Sequence, residues 1–575
     1  MNNRDVAAVF ETVADLLEIK GEAIYRVLAY RRAGEAIRSL GQDVNVLWEH
    51  GKLEEIPGVG KAISEKIDEL LRTGKLGFYE KLAAEIPPGL VEVLRVGDVG
   101  PKRAARFWKE LGITTIEELE EAARDGKLQQ LSGMGQKSES RILESIEALR
   151  RRKTDRVSIG VAWPAAQELL RRLREMDGVH AAESAGSLRR WRETVGDLDL
   201  LVASTRPSAV MQAFVEFPEV ERVRGQGETK ASVELRNGLR VQLWVHPPER
   251  YGSALQYATG SQAHNVRLRE LALSKGLSLS EHGFKQADGR EILCAEEEDV
   301  YRTLDLPWIP PELREDRGEI QAGRDEGLPD LVRLEDLRGE PHLHSDWSDG
   351  KATLEEMAGA AADLGMSYIV FSDHSRSLGV ASGLSIDRLR EQRAAIAAIQ
   401  AKLGKRIKLL QGSEVEILAD GRLDFPDEIL AELDLVIASL HTSLRQSSEK
   451  ITARLLGAME NPHVDMIGHP TGRLIGRREA ADLDMDAILG KAAERGVALE
   501  INANPERLDL SDAHAKLALE RGCVLSINTD AHHPDDFALR IYGVGTARRA
   551  WASAEMVLNA WPLDRLVRWL GKRAP

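Results

Sequence analysis

Gly339-Glu340-Pro341-His342-Leu343-His344-Ser345-Asp346-Trp347-Ser348-Asp349-Gly350 sets a His-x-His pair and, just beyond it, an aspartate at the opening of the last 240 or so residues of the chain. Downstream, the short apolar runs 368–371, 407–410, 435–440, 466–467 and 524–527 each lead to metal-ligand residue types. In order these are Asp373 and His374, then Glu414, His441, His469, and finally Asp530 and His532. Apolar strands that each deliver a functional side chain at the C-terminal end predict a β/α barrel with its site at one mouth. Imidazoles and carboxylates converging there suit two or more divalent metals, the equipment for cleaving phosphate esters. Nine of the 14 histidines follow Pro341. His463, His514 and His533 fall outside the pattern and are assigned structural or surface roles.

The motifs Gly339 to Gly350, Ser372-Asp373-His374, Gly412-Ser413-Glu414, Ser439-Leu440-His441, Gly468-His469-Pro470-Thr471-Gly472-Arg473 and Asn528-Thr529-Asp530-Ala531-His532 together resemble a PHP (polymerase and histidinol phosphatase) domain, over about 337–570. The resemblance implies metal ligands at His342, His344, Asp349, His374, Glu414, His441, His469, Asp530 and His532. It also implies two or three zinc or manganese ions, with Glu414 as the bridging carboxylate. Glu340 stands where such relatives usually carry Asp, a departure outside the ligand set.

The chain is larger than one barrel. At 575 residues and 43% hydrophobic content it can bury several cores. Cys294 and Cys523 are too few for a disulfide framework and not spaced as a zinc motif, so a reducing cytoplasm is expected. The amphipathic, acid-bearing start is unlike a secretory signal, and no apolar run reaches membrane-spanning length. A formal charge of −15 does not exclude nucleic acid, because local basic patches decide that question.

Three glycine turns, each leading into a helical pattern, recur in the first third: Ile56-Pro57-Gly58-Val59-Gly60-Lys61, Val96-Gly97-Asp98-Val99-Gly100-Pro101-Lys102 and Leu131-Ser132-Gly133-Met134-Gly135-Gln136-Lys137. A Gly-x-Gly turn at a helix start exposes backbone N–H groups to an anion, so each can hold a phosphate without reading sequence. The alternative is a plain helix-connecting turn. The three resemble helix-hairpin-helix motifs, which implies DNA-backbone contacts at Gly58, Gly60, Lys61, Gly97, Gly100, Gly133 and Gly135. From Pro57 to Leu76 the sequence also resembles the N-terminal lyase domain of family X DNA polymerases. That places Lys66 at the position of a Schiff-base nucleophile, which must be partly neutral to act. A surface lysine paired with Glu65 or Glu69 is the competing assignment.

The middle third carries a second catalytic signal, Gly186-Ser187-Leu188-Arg189-Arg190-Trp191-Arg192-Glu193-Thr194-Val195-Gly196-Asp197-Leu198-Asp199-Leu200. Alternate residues of a strand share a face, so Asp197 and Asp199 point one way while Leu198 and Leu200 pack the other. Two such carboxylates suit a magnesium or manganese pair for in-line attack on a nucleotide phosphate. Gly186, Ser187 and Arg190 suit a triphosphate tail. The stretch resembles the nucleotidyltransferase core of family X DNA polymerases. By the same resemblance Tyr257 and Gly260 face the sugar of a bound dNTP, Asn265 its base edge, and Arg269 the template strand. The third carboxylate of that family falls on Gln242, within Arg240-Val241-Gln242-Leu243. A neutral amide cannot take the primer hydroxyl's proton and is a poor ligand for the activating metal, so weak polymerisation is expected.

The fold class expected is multidomain α/β. A lyase-like helical domain spans 1–85 and a helix-hairpin-helix domain 86–154. A nucleotidyltransferase palm and thumb of α+β class spans 155–318, a linker 319–334, and a distorted β/α barrel of PHP type 335–575. The whole resembles bacterial family X DNA polymerases with a PHP exonuclease domain, which act in base-excision repair on gapped or nicked DNA. A monomer without membrane association is expected. Arg473, Arg477 and Arg478 are expected either at DNA phosphates or as ordinary surface residues. Two alternatives stay open: a polymerase-like scaffold that only positions DNA for the nuclease, and a barrel that hydrolyses small phosphate monoesters.

Overall fold

The structure, a computed structural model, describes residues 1–571 apart from 2, 39–43, 57, 95, 97, 98, 132, 152–155 and 326. It divides into two compact units, Met1–Asp155 and Arg156–Pro575. Pro57, Gly97, Asp98 and Ser132 of the glycine turns, and Arg152 and Lys153 after the third, lie outside the described residues.

The described part of the first unit is helical. In the helix Asn3–Lys20 the buried residues Val6, Phe10, Val13 and Leu17 recur at three- and four-residue intervals, giving one apolar stripe. Tyr30 of the helix Ile24–Arg38 stacks on Phe10 and on Phe78, closing the same core. The helices Lys61–Thr73 and Pro101–Leu111 follow glycine N-caps, Gly60 and Gly100, neither of which supplies a capping side chain. Their first backbone N–H groups are therefore not satisfied by a cap at the turn.

The second unit opens with a five-stranded palm sheet made of β1 (Val179–Ser184), β2 (Leu198–Ser204), β3 (Val220–Gln226), β4 (Lys230–Leu235) and β5 (Arg240–His246), in the order β1-β2-β5-β4-β3. Strands β2 and β5 run parallel with Asp199 opposite Gln242. The helix Ile159–Arg174 buries Ala162, Ala166, Leu169 and Leu173 in the core that also takes Leu198 and Leu200. A thumb follows, built from the helices Gln262–Ser274 and Glu297–Thr303 and a small antiparallel sheet between them. Glu297 joins thumb to palm by accepting from Arg189, Arg314 and Trp308 at 2.6–2.8 Å.

The last part is a seven-stranded parallel sheet: β6 (Gly339–Leu343), β7 (Tyr368–Phe371), β8 (Lys408–Glu416), β9 (Leu435–Ser439), β10 (Met466–Ile467), β11 (Ala498–Asn502) and β12 (Leu525–Asn528), paired in that order. After β12 the chain returns to β6, where Leu343 bridges Ala531 in parallel and His344 N donates to Ala531 O at 2.8 Å. The sheet thereby closes into a nearly complete barrel. Nearly every strand residue is buried, as expected when helices cover the outside of a parallel sheet. The expected linker 319–334 is instead packed structure. It holds the helix Glu319–Asp325, Glu319 lies buried against His264 at 2.6 Å, and Leu331 and Val332 are buried. Among the described residues no helix is long and apolar enough to cross a membrane.

Candidate functional site

The C-terminal ends of the barrel strands bring all nine residues expected as ligands to one mouth. His342 lies on β6 with His344 just past its end, His374 follows β7, Glu414 lies within β8, His441 follows β9, His469 follows β10, and Asp530 and His532 follow β12. Glu414 stands at the centre. Its Oε2 is 3.4 Å from His342 Nε2, 3.5 Å from His344 Nε2 and 3.0 Å from His374 Nδ1. Its Oε1 is 3.2 Å from His441 Nε2 and 2.9 Å from His469 Nε2. Asp530 Oδ1 reaches His344 Nε2 at 3.0 Å, while Asp349 Oδ1 lies 3.3 Å from His532 Nε2 and 3.6 Å from His374 Nε2. Three groups that could hold a cation result: His344, Asp349, His374 and His532; His342, His344, Glu414 and Asp530; and His374, Glu414 and His441.

The donor set fits divalent cations on an observation independent of any family. His342 Nε2, His344 Nε2, His374 Nδ1, His469 Nε2, Asp530 Oδ1 and both oxygens of Glu414 are buried and make no hydrogen bond. Buried polar atoms left without partners cost too much to be incidental, and their convergence on one point matches a cation's needs. Burial disfavours charge on these rings, yet the carboxylates outweigh it. Glu500, Glu414 and Asp530 raise His342 well above its ordinary value, and Glu414 with Asp349 raises His374 to about 10. His441 and His532 are raised to about 9, against burial, by Glu414 and Asp349 respectively. His344, enclosed and beside His374, is pushed down to about 4.

Two supporting residues, Glu500 and Glu416, were not anticipated from sequence, and Asp373 supports the loop of Asp349. Glu500 of β11 lies 2.7 Å from His342 Nδ1 and also accepts from Asn528. Glu416 lies 2.7 Å from His441 Nδ1 and accepts the backbone N–H of His441 and the Thr442 hydroxyl. With Nδ1 of each ring held by a carboxylate, the Nε2 atom of each faces Glu414. Asp373, fully buried, accepts from Ser345 N, Ser345 Oγ, Ser348 Oγ and Gln392 Nε2, which fixes the loop that carries Asp349. A carboxylate inside an apolar run is the sequence signal for Glu500, since a buried charge requires partners.

In the palm, Asp197 and Asp199 flank the start of β2, and the turn at Gly186 lies against Asp199. Gly186 has φ 58, and a Cβ there would overlap Asp199 Oδ2, so the close approach requires glycine. Burial, and then the Asp197 charge, push the Asp199 carboxyl up to about 7. Gln242 Nε2 donates to Asp197 Oδ2 at 2.8 Å. Ser187 is half-buried in the loop, whereas Arg190 is not the free fork expected for a triphosphate. Its Nε donates to Glu315 at 3.1 Å and its Nη1 to the Thr259 carbonyl at 2.5 Å. Tyr257 is 43% exposed, Gly260 adjoins Arg190, and Arg269 is exposed beside Asn265. Asn265 is buried, with its amide engaged by Tyr257 O and Gln256, which differs from an amide open to a base. In the first unit, Lys66 donates to Ala62 O at 3.0 Å and lies 5.7 Å from the Phe78 ring centre. Among the described residues it makes no ion pair with Glu65 or Glu69, and Glu69 accepts from Gly77 N instead. Gly58 and Gly133 adopt left-handed backbone at their turns, and Gly60, Gly100 and Gly135 are open above the Cα. Lys61 begins its helix on an exposed face. Arg473 and Arg477 are paired with Glu193 and Glu506, and Arg478 donates to Gly472 O.

Known families match in the same order along the chain. A helix-hairpin-helix domain matches residues 1–76 and a SAM-like helix-hairpin-helix tandem 90–148. The DNA polymerase beta thumb matches 254–315 and the PHP domain 340–504, ending before Asp530 and His532. The chain is 38% identical over 573 residues to the DNA polymerase/3'-5' exonuclease PolX of Bacillus subtilis (strain 168), covering 99% of both proteins. It is 26% identical over 348 residues to DNA polymerase lambda of Rattus norvegicus, 54% of this chain and 56% of that one. It is also 30% identical over 231 residues to a probable phosphatase of Thermoanaerobacter sp. (strain X514), 38% of this chain and 88% of the relative.

Proposed function

The chain belongs to the family X DNA polymerases that carry a PHP domain, and from that membership we propose that the barrel removes nucleotides from DNA 3′ ends while the palm binds a dNTP and transfers it slowly. The observation that carries the barrel chemistry is the set of buried, unpartnered nitrogen and oxygen atoms around Glu414. Two or three zinc or manganese ions are the proposed occupants, held by the nine residues, with magnesium or manganese at Asp197 and Asp199. Bound there, such cations supply Lewis-acid charge for the phosphoryl oxygens and make water acidic enough to attack.

The chain's own residues do the rest. Glu500 and Glu416 hold ring protons on Nδ1 of His342 and His441, which keeps both Nε2 atoms available. Asn502 donates to Asp530 Oδ2 at 3.2 Å and so orients the oxygen that faces His342 and His344. Asp349, the one exposed member of the set, marks the side from which a strand terminus enters. The N-terminal helical domains grip the DNA backbone of gapped or nicked substrate through the N–H groups of their glycine turns. Lys66, which among the described residues makes no ion pair with Glu65 or Glu69, is the proposed lyase nucleophile. In the palm, Gln242 offers Asp197 a donor where the reaction needs an acceptor for the primer hydroxyl's proton.

His342→Ala and Asp530→Ala test the barrel assignment: 3′-nucleotide release disappears while binding to gapped DNA persists. Retained cleavage would move the chemistry elsewhere. The similarity of 231 residues to a probable phosphatase supports a second reading, monoester hydrolysis at the same site. Comparing release of inorganic phosphate from a 3′-phosphorylated strand with release of nucleotide from a 3′-hydroxyl strand separates the two.

A further inference from the structure

The palm's phosphate loop does not stand free; it is docked on the barrel. The barrel helix Arg540–Arg549 ends against loop residues 190–192. Arg549, 3% exposed, donates from Nη1 to the Arg190 carbonyl at 2.6 Å and to Glu315 Oε1 at 2.9 Å, and from Nη2 to Asp512 Oδ2 at 2.9 Å. Glu315 also accepts from Arg190 Nε, so one carboxylate lies between a palm guanidinium and a barrel guanidinium. One residue along, Trp191 takes a left-handed backbone (φ 54) and lays its ring on Gly545, where a Cβ would come within 2.5 Å of Cε3. Arg473 of the barrel holds Glu193 at 2.7 Å, and Ser158 donates to Pro505 O at 2.9 Å.

These contacts reach the nucleotide end of the loop through a short, rigid path. Trp191 N donates to Leu188 O at 2.9 Å and Arg192 N to Ser187 O at 3.0 Å, so 186–192 move as one turn. That turn rests on Asp199 at Gly186. We propose that Arg549 is a positioning residue for the palm, fixing the Gly186-Ser187 turn through the Arg190 carbonyl so that dNTP affinity depends on the docked barrel. The proposal rests on the reading that the palm binds a dNTP. Without Arg549 the Arg190 carbonyl and Glu315 each lose a donor, and the turn is no longer preorganised for phosphate.

The test uses the full-length protein and calorimetric titration with Mg2+ and dATP. Wild type comes first, because absence of binding there would overturn the palm reading and the proposal with it. Given wild-type binding, Arg549→Met weakens dATP affinity by about tenfold. Arg549→Lys recovers part of the loss, and 3′-nucleotide release from a single strand is unchanged. Wild-type affinity in Arg549→Met overturns the proposal. If Arg549→Met also loses nuclease activity, Gly545→Ala, which keeps every charge but displaces Trp191, decides the question. Weakened dATP binding in that variant supports the proposal and wild-type binding overturns it.

Discussion

Gln242 donates a 2.8 Å hydrogen bond to Asp197, across parallel strands that set its backbone opposite Asp199. The amide thus fills a position from which a carboxylate would complete a metal-binding trio, and it consumes an oxygen of one of the remaining two. Gln242→Asp is expected to raise the rate of one-nucleotide gap filling by about a hundredfold or more, the usual worth of a placed general base. Wild-type gap filling equal to that of the variant would contradict this account.

Glu500 and Glu416 each hold the Nδ1 atom of a proposed ligand, His342 and His441 respectively, at 2.7 Å. Glu500→Gln and Glu416→Gln should each weaken metal retention and 3′-nucleotide release by about ten- to a hundredfold. Metal content after dialysis against a weak chelator, measured with DNA affinity as a control, checks this. Unchanged metal content would remove both residues from the account.

The surrounding carboxylates, Glu414, Asp349 and Asp530 among them, raise His374 to about 10 and His441 and His532 to about 9 against burial. A raised value means that these rings carry protons near neutral pH, and binding of a cation must release them. Apparent affinity for Mn2+ should therefore rise from neutral pH to about pH 9 and fall on acidification. Calorimetry in buffers of different ionisation enthalpy reads the proton release directly, and a pH-independent affinity would rule it out.

Among the described residues Lys66 makes no ion pair with Glu65 or Glu69, either of which would hold it in the charged form, and its amine lies 5.7 Å from the Phe78 ring centre. Borohydride should trap a covalent complex with abasic-site DNA in wild type and not in Lys66→Arg. A trapped complex of equal yield in the variant would place the nucleophile on another amine.

Much of the barrel was legible because its strands are short, apolar and end in residue types that suit a metal. The runs 368–371 and 466–467 coincide with β7 and β10. The run 407–410 is only the beginning of β8, which continues through Glu414 because pairing with β9 extends it. Strand β11 escaped notice because it ends in no ligand type, and with it went Glu500, whose function exists only across the barrel from His342. The surroundings of Arg190 show a related limit. A Gly-Ser turn followed by arginine suggests phosphate, but the carboxylate that claims this arginine, Glu315, comes from a segment distant in sequence. Likewise, the charged, glycine-bearing stretch 319–334 reads as a tether. Only the folded chain sets Glu319 against His264 and buries Leu331 and Val332. Local pattern thus picked out side chains that gather at one mouth of the barrel, whereas long-range ion pairs decided what the Arg190 guanidinium touches.

The most direct measurement is the rate of nucleotide release from a 3′-labelled DNA strand by Glu414→Gln, set beside its affinity for the same DNA. Glu414 touches five of the histidines through its two oxygens, so its neutralisation should lower release by at least about a hundredfold, the upper end of what even an outer partner of a ligand costs. DNA affinity should stay at the wild-type value. Release within tenfold of wild type would contradict a cation site centred on this carboxylate.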